Sequence, residues 1–221
     1  MKSRKLVAVL ACRNQGTRLY GKPLQNLDID KGWCILDQII SNINGLDSVS
    51  EIVLAISEGK ANNVFIEFAN SRGIKSVVGD EIDVLRRLID GLTYTKGTDL
   101  FRVTTESPFL YMEAVDHAWT IHLEEGYDVT VMDEVIDGCG FEIIRIEALI
   151  RSWESGDKRH RSELCSLYIR ENFDKFKIKK LEYPEKICRK DLRLTVDYPE
   201  DLIVCRAIYK HLKDRNRLKN I

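Results

Sequence analysis

The stretch that decides the fold is LVAVLACRNQGTRLYGKPL, residues 6–24. Its first part, residues 6–11, is a continuous apolar run, which is typical of a short strand buried on both faces of a sheet. Its second part, residues 13–22, is polar and carries glycines and cationic side chains. Ligands of open α/β sheets bind beyond the carboxyl ends of the strands, so this loop lies where a binding site is expected.

The cations of this loop are Arg13, Arg18 and Lys22. Arginine binds phosphate oxygens in a bidentate manner and lysine acts as a compact point charge. Gly16 and Gly21 allow backbone amides to approach a phosphate closely. The loop matches neither the GxxxxGK[ST] pattern nor the GxGxxG pattern. It therefore has two interpretations, a phosphate-binding loop or a basic surface loop with turn glycines.

Strand-like and helix-like segments alternate outward from this loop. Strands are predicted at residues 6–11, 52–56, 74–78, 100–103, 128–131, 141–144 and 192–196. Helices are predicted at residues 33–44, 61–72, 82–92, 113–124, 146–153, 163–173 and 199–212. Repeated strand–helix units of this length predict a three-layer α/β fold around a mostly parallel sheet with right-handed crossovers.

The length of 221 residues suits a single domain, 1–221, which is the organisation we expect. The strand–helix rhythm loosens after Asp133, and residues 175–190 are rich in charge. We therefore expect a small insertion or arm within residues 141–190.

Composition and charge exclude several classes of partner. The formal net charge is −1, so no overall basic field favours nucleic acid or an anionic membrane. The apolar run at residues 6–11 is too short for a membrane span or the core of a signal peptide. The six cysteines are dispersed without a CxxC pair, which indicates a reduced, cytoplasmic protein with buried thiols and no zinc site.

Five segments, in order, resemble the bacterial cytidylyltransferase superfamily, which includes the CMP-sugar synthetases that activate sialate and Kdo. The resemblance is greatest to the branch named for the spore coat polysaccharide biosynthesis protein F. The segments are RNQGTRLYGKPL (13–24), VGDEIDVLRR (78–87), RVTTESPF (102–109), EIIRIEAL (142–149) and RLTVDYPED (193–201). Together they extend over nearly the whole chain.

This resemblance implies a Rossmann-like, GT-A-type nucleotidyltransferase that binds CTP, transfers CMP to an acceptor and releases pyrophosphate. The catalytic residues it implies are Arg13, Lys22 and Asp197. The nucleotide-binding residues it implies are Ala11, Arg13, Gly16, Thr17, Arg18, Lys22, Arg102 and Thr104. The cations of the loop would hold the β- and γ-phosphates, because charge builds on these oxygens during attack at the α-phosphorus.

Mg²⁺ is the cofactor that the resemblance implies, with Glu106 and Asp197 as its ligands. Both positions are commonly aspartate in the family, and Mg²⁺ usually takes one or two carboxylates together with waters and phosphate oxygens. Two alternatives stay open. Asp197 could be the N-cap of the last helix, and Arg102 could be a salt-bridge partner of Glu106 or Asp197.

The acceptor is expected to be a small anionic molecule that binds at Glu142, Arg161 and Glu163. The sequence departs from the branch in this half, since Gly140 replaces an aspartate and Leu164 a histidine. The basic run 158–161 is otherwise typical of a solvent-exposed surface. No residue discriminates cytosine by itself in the sequence.

Three functional hypotheses follow. The first is transfer of CMP to an acidic sugar, such as a nonulosonic or Kdo-like acid, for surface polysaccharide or glycan synthesis. The second keeps nucleotidyl transfer but changes the acceptor to a phosphorylated small molecule or a polyol. The third is a CTP-binding homologue without catalysis. The resemblance also implies a homodimer, with the arm within residues 141–190 as the contact.

Overall fold

The computed structural model describes residues 4–16, 18–215 and 217–218. The described strands are β1 (Leu6–Cys12), β2 (Asn26–Asp28), β3 (Trp33–Cys34), β4 (Val49–Ser57), β5 (Lys75–Gly79), β6 (Asp99–Arg102), β7 (Val129–Met132), β8 (Phe141–Arg145) and β9 (Ile178–Lys180). The described α-helices are α1 (Ile35–Ile43), α2 (Asn63–Ser71), α3 (Val84–Thr95), α4 (Val115–Glu124), α5 (Ile146–Ser155), α6 (Leu167–Glu171) and α7 (Pro199–Asp214).

The central sheet has the strand order β5-β4-β1-β6-β8-β7-β9. β5, β4, β1 and β6 are parallel, β8 runs antiparallel to both of its neighbours, and β9 is parallel to β7. β2 and β3 form a separate two-stranded ribbon. The predicted mostly parallel α/β fold is confirmed.

Each face of the sheet is covered by helices, which gives three layers. The side chains of β1 point alternately to the two faces of the sheet. Leu6, Ala8 and Leu10 enter the core that is covered by α1, α2, α4 and α7. Val7 and Val9 enter the opposite core, which α3, α5 and α6 cover. Because successive side chains of a strand point to opposite faces, a continuous apolar run serves both cores, as the sequence predicts.

Three of the predicted elements are wrong in place or type. The predicted strand at 192–196 is an extended segment with one isolated bridge, Asp137 to Arg193, and the outermost strand is instead β9. The segment crosses the carboxyl end of the sheet, where Val196 is buried and its N–H donates to Glu106 O at 3.0 Å, while Leu192 is exposed. The helix predicted at 163–173 begins only at Leu167. The helix predicted at 33–44 begins at Ile35, because residues 33–34 pair with β2.

Several expectations about single residues can also be compared with the structure. All six cysteines are free, and five of them are buried, with Cys188 partly exposed. The basic run 158–161 is not wholly exposed, since His160 is buried and its Nε2 lies 2.9 Å from Glu171. Across the described ranges, no helix is long and apolar enough to cross a membrane. A dimerisation arm within 141–190 stays a prediction, although β8 and β9 belong to the central sheet.

Candidate active site

A cleft lies at the carboxyl ends of β1 and β6, bordered by residues 13–16, 18–19 and 22–23 and by the start of α3. Most of the predicted site residues line it: Ala11, Arg13, Gly16, Arg18, Lys22, Arg102, Thr104, Glu106, Glu163 and Asp197. Glu142 and Arg161, predicted to bind the acceptor, are not among its lining residues. Thr17 lies outside the described residues.

The loop after β1 is closed on itself and anchored to the segment before α2. Gly21 N donates to Asn14 O at 2.9 Å, and the positive φ of 60° at Gly21 makes this closure accessible to glycine. A Cβ at Gly16 would lie 2.4 Å from the Leu19 carbonyl oxygen, so the turn is too tight for a larger residue. Asn14 is buried, and its backbone N–H donates to Asn62 Oδ1 at 2.7 Å. The described part of the loop is therefore tied both to itself and to the segment before α2.

Asp197 is the point where the cations converge. Its Oδ1 accepts from Lys22 Nζ at 2.5 Å and from Arg18 Nη2 at 3.3 Å, while its Oδ2 accepts from Arg193. Burial acts to raise the pKa of Asp197, but Lys22, Arg18 and Arg193 outweigh it and lower the pKa. Asp197 is thus held as a carboxylate.

Asp197 is not the N-cap of the last helix. Tyr198 occupies the N-cap position of α7, and the Asp201 carboxylate accepts from the backbone N–H groups of Asp197 and Tyr198 at 2.8 and 2.9 Å. The alternative of a purely capping role is therefore wrong. The Asp197 carboxylate is free to face the cleft.

Glu106 lies beside Asp197, since the backbone bond from Val196 N to Glu106 O joins the two segments. Burial raises the pKa of Glu106, and the Asp197 charge raises it further, whereas Lys22 and Arg102 act to lower it. The net direction is a raised pKa, because Lys22 and Arg102 do not fully offset the burial of Glu106 and the charge of Asp197.

Glu106 and Asp197 both line the cleft, and a Mg²⁺ site at this pair stays a prediction. In the described ranges, no group of three or more His, Cys, Asp or Glu side chains could hold a metal by itself. Mg²⁺ does not require such a group, because it is bound by one or two carboxylates plus waters and substrate phosphates. Glu106 and Asp197 are the residues that would hold it, with phosphate oxygens supplying further ligands.

Arg102 is oriented by a buried carboxylate from β8. Its Nη1 donates to Glu142 Oε2 at 2.7 Å, and Glu142 Oε1 accepts from Ser166 at 2.8 Å and Arg170 at 2.7 Å. The alternative that Arg102 pairs with Glu106 or Asp197 is wrong, since its ion pair is with Glu142. Glu142 is buried, so its carboxylate positions the Arg102 side chain and does not form part of the cleft surface.

The other two predicted acceptor residues lie apart. Glu163 lines the cleft and its carboxylate forms an exposed ion pair with Arg13. The guanidinium of Arg161 lies over the Trp153 ring, 4.9 Å from the centroid, and its Nη2 donates to Trp153 O at 3.2 Å.

The departure at Gly140 has a steric reason. A Cβ there would lie 2.4 Å from the Met132 carbonyl oxygen on β7. Any side chain at this position, the aspartate of the branch included, would require the backbone to move.

Sequence reasoning assigned no role to Arg87, Asn14 or Cys165, which also line the cleft. Arg87 could have been noticed, because it follows Val84 by three residues and precedes Leu88 on the apolar stripe of α3. A cation on a buried stripe is uncommon and calls for a polar partner. Cys165 carried no such signal in the sequence.

The arrangement as a whole is suited to binding a polyphosphate. Cations from residues 13–22 surround a carboxylate that also lies next to Glu106, at the carboxyl edge of the sheet. Such a site can hold phosphate oxygens and a divalent cation together and stabilise charge that develops during phosphoryl or nucleotidyl transfer.

Comparison with known proteins agrees with this geometry. The family model described as cytidylyltransferase matches residues 7–218. The spore coat polysaccharide biosynthesis protein SpsF of Bacillus subtilis (strain 168) is 25% identical over 223 residues, which cover 95% of this chain and 88% of that protein.

Solved structures share the fold. A cytidylyltransferase from Leptospira borgpetersenii superposes with a TM-score of 0.81 at 18% identity, covering 99% of this chain and 98% of that one. A CMP:2-keto-3-deoxy-manno-octonic acid synthetase complexed with CTP gives 0.71 at 14% identity, covering 94% and 99%.

Proposed function

Because the chain belongs to the cytidylyltransferase family, whose members are CTP-dependent nucleotidyltransferases, we propose that it transfers CMP from CTP to an acidic sugar and releases pyrophosphate. The acceptor class is a nonulosonic or Kdo-like acid, and the product serves surface polysaccharide or glycan synthesis. The observation that carries this proposal is the convergence of Lys22, Arg18 and Arg193 on Asp197, next to Glu106.

The cations of the loop bind the triphosphate. Arg13, Arg18 and Lys22 each contact a carboxylate in the free protein, Arg13 that of Glu163 and the other two that of Asp197. Phosphate oxygens would replace these carboxylates as partners, so the side chains are already directed toward the ligand. Arginine and lysine in a closed loop lose little freedom on binding, which favours affinity.

The carboxylates complete the site. Asp197 and Glu106 would hold Mg²⁺, and the metal would neutralise charge on the phosphate oxygens. Arg102, held by Glu142, adds a further cation to the lining of the cleft. The pyrophosphate leaving group would remain against Arg18 and Lys22 while its charge develops.

The acceptor is a small anionic molecule, and Glu163 is the predicted acceptor residue that lines the cleft. Resemblance to CMP-sugar synthetases supports an acidic sugar, and the name of SpsF supports polysaccharide synthesis. We also propose that the protein is cytoplasmic, which its free cysteines support. We propose further that it is a homodimer, which the resemblance to the family supports.

Pyrophosphate release is the test of this proposal. The protein is incubated with Mg²⁺ and CTP, ATP, GTP or UTP, against acidic sugars, phosphorylated sugars and phosphorylated polyols. We expect release with CTP and an acidic sugar, and loss of release when Mg²⁺ is chelated. Release only with a phosphorylated acceptor would move the function to the second hypothesis. CTP binding without release from any pair would favour the non-catalytic homologue.

Sedimentation velocity at several protein concentrations tests whether the protein is a dimer.

A further inference from the structure

Arg102 is the first of four charged side chains that form a row leading away from the cleft. It lies directly opposite Glu142 in the pairing of β6 with β8, and its Nη1 donates to Glu142 Oε2 at 2.7 Å. Arg170 of α6 donates from Nη2 to Glu142 Oε1 at 2.7 Å and from Nη1 to Asp133 Oδ2 at 3.2 Å. The order along this charged row is therefore cation, carboxylate, cation, carboxylate.

The charged row connects the cleft with a second, smaller pocket. Arg102 is among the lining residues of the cleft. The other three members border the small pocket, which lies between α6 and the outer strands β7 and β9. Arg170 is therefore placed to influence a ligand in the cleft through Glu142 and Arg102, without touching it.

Glu142 is a buried carboxylate whose two oxygens are divided between two arginines. It is 4% exposed, and Ser166 Oγ also donates to its Oε1 at 2.8 Å. Burial acts to raise the pKa of Glu142, but Arg102 and Arg170 outweigh it and lower the pKa. Because Arg170 occupies Oε1, Glu142 holds Arg102 through Oε2, and not through the bidentate contact that an arginine and a carboxylate otherwise favour.

Sharing Glu142 in this way leaves positive charge at Arg102 for a ligand. One carboxylate between two guanidinium groups compensates only one of them. Asp133 stands at the far end of the row, and its side chain is 25% exposed, so water screens its charge more strongly than that of Glu142. Without Arg170, both oxygens of Glu142 would be available to Arg102, and its charge would be neutralised inside the protein.

We propose that Arg170 is a positioning residue for nucleotide binding. By sharing Glu142, it keeps the Arg102 guanidinium directed toward the cleft and only partly neutralised, so that Arg102 can attract the phosphates of CTP. The inference rests on the proposed function, since it takes CTP as the ligand of Arg102. It adds a residue outside the cleft that determines the strength of a cation inside it.

Two variants within the charged row should change CTP affinity in opposite directions. Arg170→Gln removes a cation and frees Glu142 for Arg102, so CTP binding should weaken by roughly tenfold, as expected for a charge interaction in a partly buried site. Asp133→Asn removes the outer anion and should strengthen CTP binding by about two- to threefold. Calorimetry with CTP and Mg²⁺ measures both. Damage to packing alone would weaken binding in both variants, and that result would overturn the inference.

A conservative variant and a matched control accompany Arg170→Gln. Arg170→Lys keeps the cation, and its CTP affinity should stay within about threefold of the original. Arg151→Gln is the control, because Arg151 is also half-exposed, pairs with Asp128, and is not among the lining residues of either pocket. This control should leave CTP affinity unchanged. Equal losses of affinity in Arg170→Lys and Arg170→Gln would overturn the inference.

A double-mutant cycle tests whether Arg170 acts through Arg102. In the background of Arg102→Gln, adding Arg170→Gln should change CTP affinity by less than about twofold, because the cation that it influences is already gone. A full, additive loss in the double variant would show that Arg170 acts independently of Arg102, and would overturn the inference.

A measurement without ligand separates this inference from the proposed function. The ¹⁵Nε–¹Hε resonance of Arg102 reports on its contacts in the free protein, and it should shift in Arg170→Gln but not in Arg151→Gln. An unshifted resonance in Arg170→Gln would overturn the inference, whether or not pyrophosphate is released. Opposite changes of CTP affinity in the two row variants, without pyrophosphate release from any acceptor, would support the inference and contradict catalysis.

Circular dichroism verifies that each variant is folded. If Arg170→Gln does not fold, Asp133→Asn decides, since stronger CTP binding supports the inference and unchanged or weaker binding overturns it.

Discussion

At the scale of single residues, Asp197 connects the cationic loop with the proposed metal site. It accepts from Lys22 and Arg18, lies beside Glu106, and has a lowered pKa because these cations outweigh the effect of its burial. Its charge is therefore available both to orient the loop in the free protein and to bind a metal in the complex.

Asp197→Asn should lower kcat by roughly a hundredfold or more, because it removes a charge aligned with the developing transition state. Folding should be nearly unaffected, since α7 is capped by Asp201. Pyrophosphate release and thermal unfolding measure the two effects.

The matched control is Asp201→Asn, four residues further on. Asparagine keeps an acceptor oxygen but removes the negative charge in the first turn of α7, which should cost about 0.3–1 kcal/mol of stability and leave kcat near its original value while the protein is folded. The assignment of Asp197 would be contradicted if both variants affected only stability.

Glu163→Gln should strengthen CTP binding modestly, by no more than about fivefold, because Glu163 competes with phosphate for Arg13. The pair is exposed, so solvent screens most of its energy. Calorimetry with CTP measures the change. Glu171→Gln, which removes an ion pair with Arg159 that lies outside the cleft lining, should have no effect. Weaker CTP binding by Glu163→Gln would show instead that Glu163 contributes to the ligand site.

At the scale of secondary structure, α3 is the element whose position matters most. It packs against β1 through Gly91, where a Cβ would lie 2.6 Å from Val9 Cγ1 and 3.4 Å from Val53 Cγ1. The same helix brings Val84, Arg87 and Leu88 into the cleft. The distance between α3 and β1 therefore determines both the packing of this core and the position of one wall of the cleft.

Gly91→Ala should destabilise the protein by about 1–3 kcal/mol, as expected for overpacking a close helix–sheet contact. The gain of roughly 1 kcal/mol in helix propensity offsets only part of this cost. CTP affinity should fall as well, because the cleft wall moves with the helix. Urea unfolding and calorimetry measure the two quantities.

Thr93→Ala is the control on the exposed side of α3, and its effect on stability should stay within about 0.5 kcal/mol. A Gly91→Ala variant that is more stable than the original protein would show that α3 can shift without strain.

At the scale of the whole molecule, the amino end of the sheet contains a buried polar network that is separate from the cleft. Asp99 accepts from Arg4 Nε at 3.0 Å and Thr98 Oγ1 at 2.7 Å, and lies 3.1 Å from His122 Nε2. The other ring nitrogen of His122 lies 2.9 Å from Thr130 Oγ1. Asp99 and His122 are fully buried, so their protonation is coupled to global folding.

Burial lowers the pKa of His122 from its ordinary value of 6.5, although Asp99 acts to raise it. The unfolded chain therefore takes up a proton near pH 6.5 that the folded protein does not, and stability falls as pH drops below that value. One such group changes the free energy of unfolding by at most about 1.4 kcal/mol per pH unit. Urea unfolding at pH 7.5, 6.5 and 5.5 measures it.

His122→Gln should flatten this acid slope, whatever its effect on stability at pH 7.5. His117→Gln, at an exposed position of the same helix, should keep the original slope. Equal slopes in all three proteins would show that the pKa of His122 does not change on folding, which would contradict this account.

Much of this protein could be predicted from its sequence, because the relevant signals are local. The apolar run at residues 6–11, the periodicity of the helices and the composition of residues 13–22 each act over a few neighbours. These signals were enough to predict the α/β fold, and ten predicted site residues do line one cleft. The strand predicted at 192–196 is wrong because the local sequence does not distinguish a strand from an extended segment that crosses the end of a sheet.

Only the tertiary structure decided which side chains meet. The pairing of Arg102 with Glu142, the placement of Glu106 beside Asp197, and the position of Arg87 in the lining of the cleft depend on contacts between distant segments. A sequence pattern reports on neighbours along the chain, whereas ion pairs and hydrogen bonds form between neighbours in space. The loop at residues 13–22 could therefore be recognised from its own sequence. The side chains that pair with its cations were decided by how the sheet brings the strand ends together.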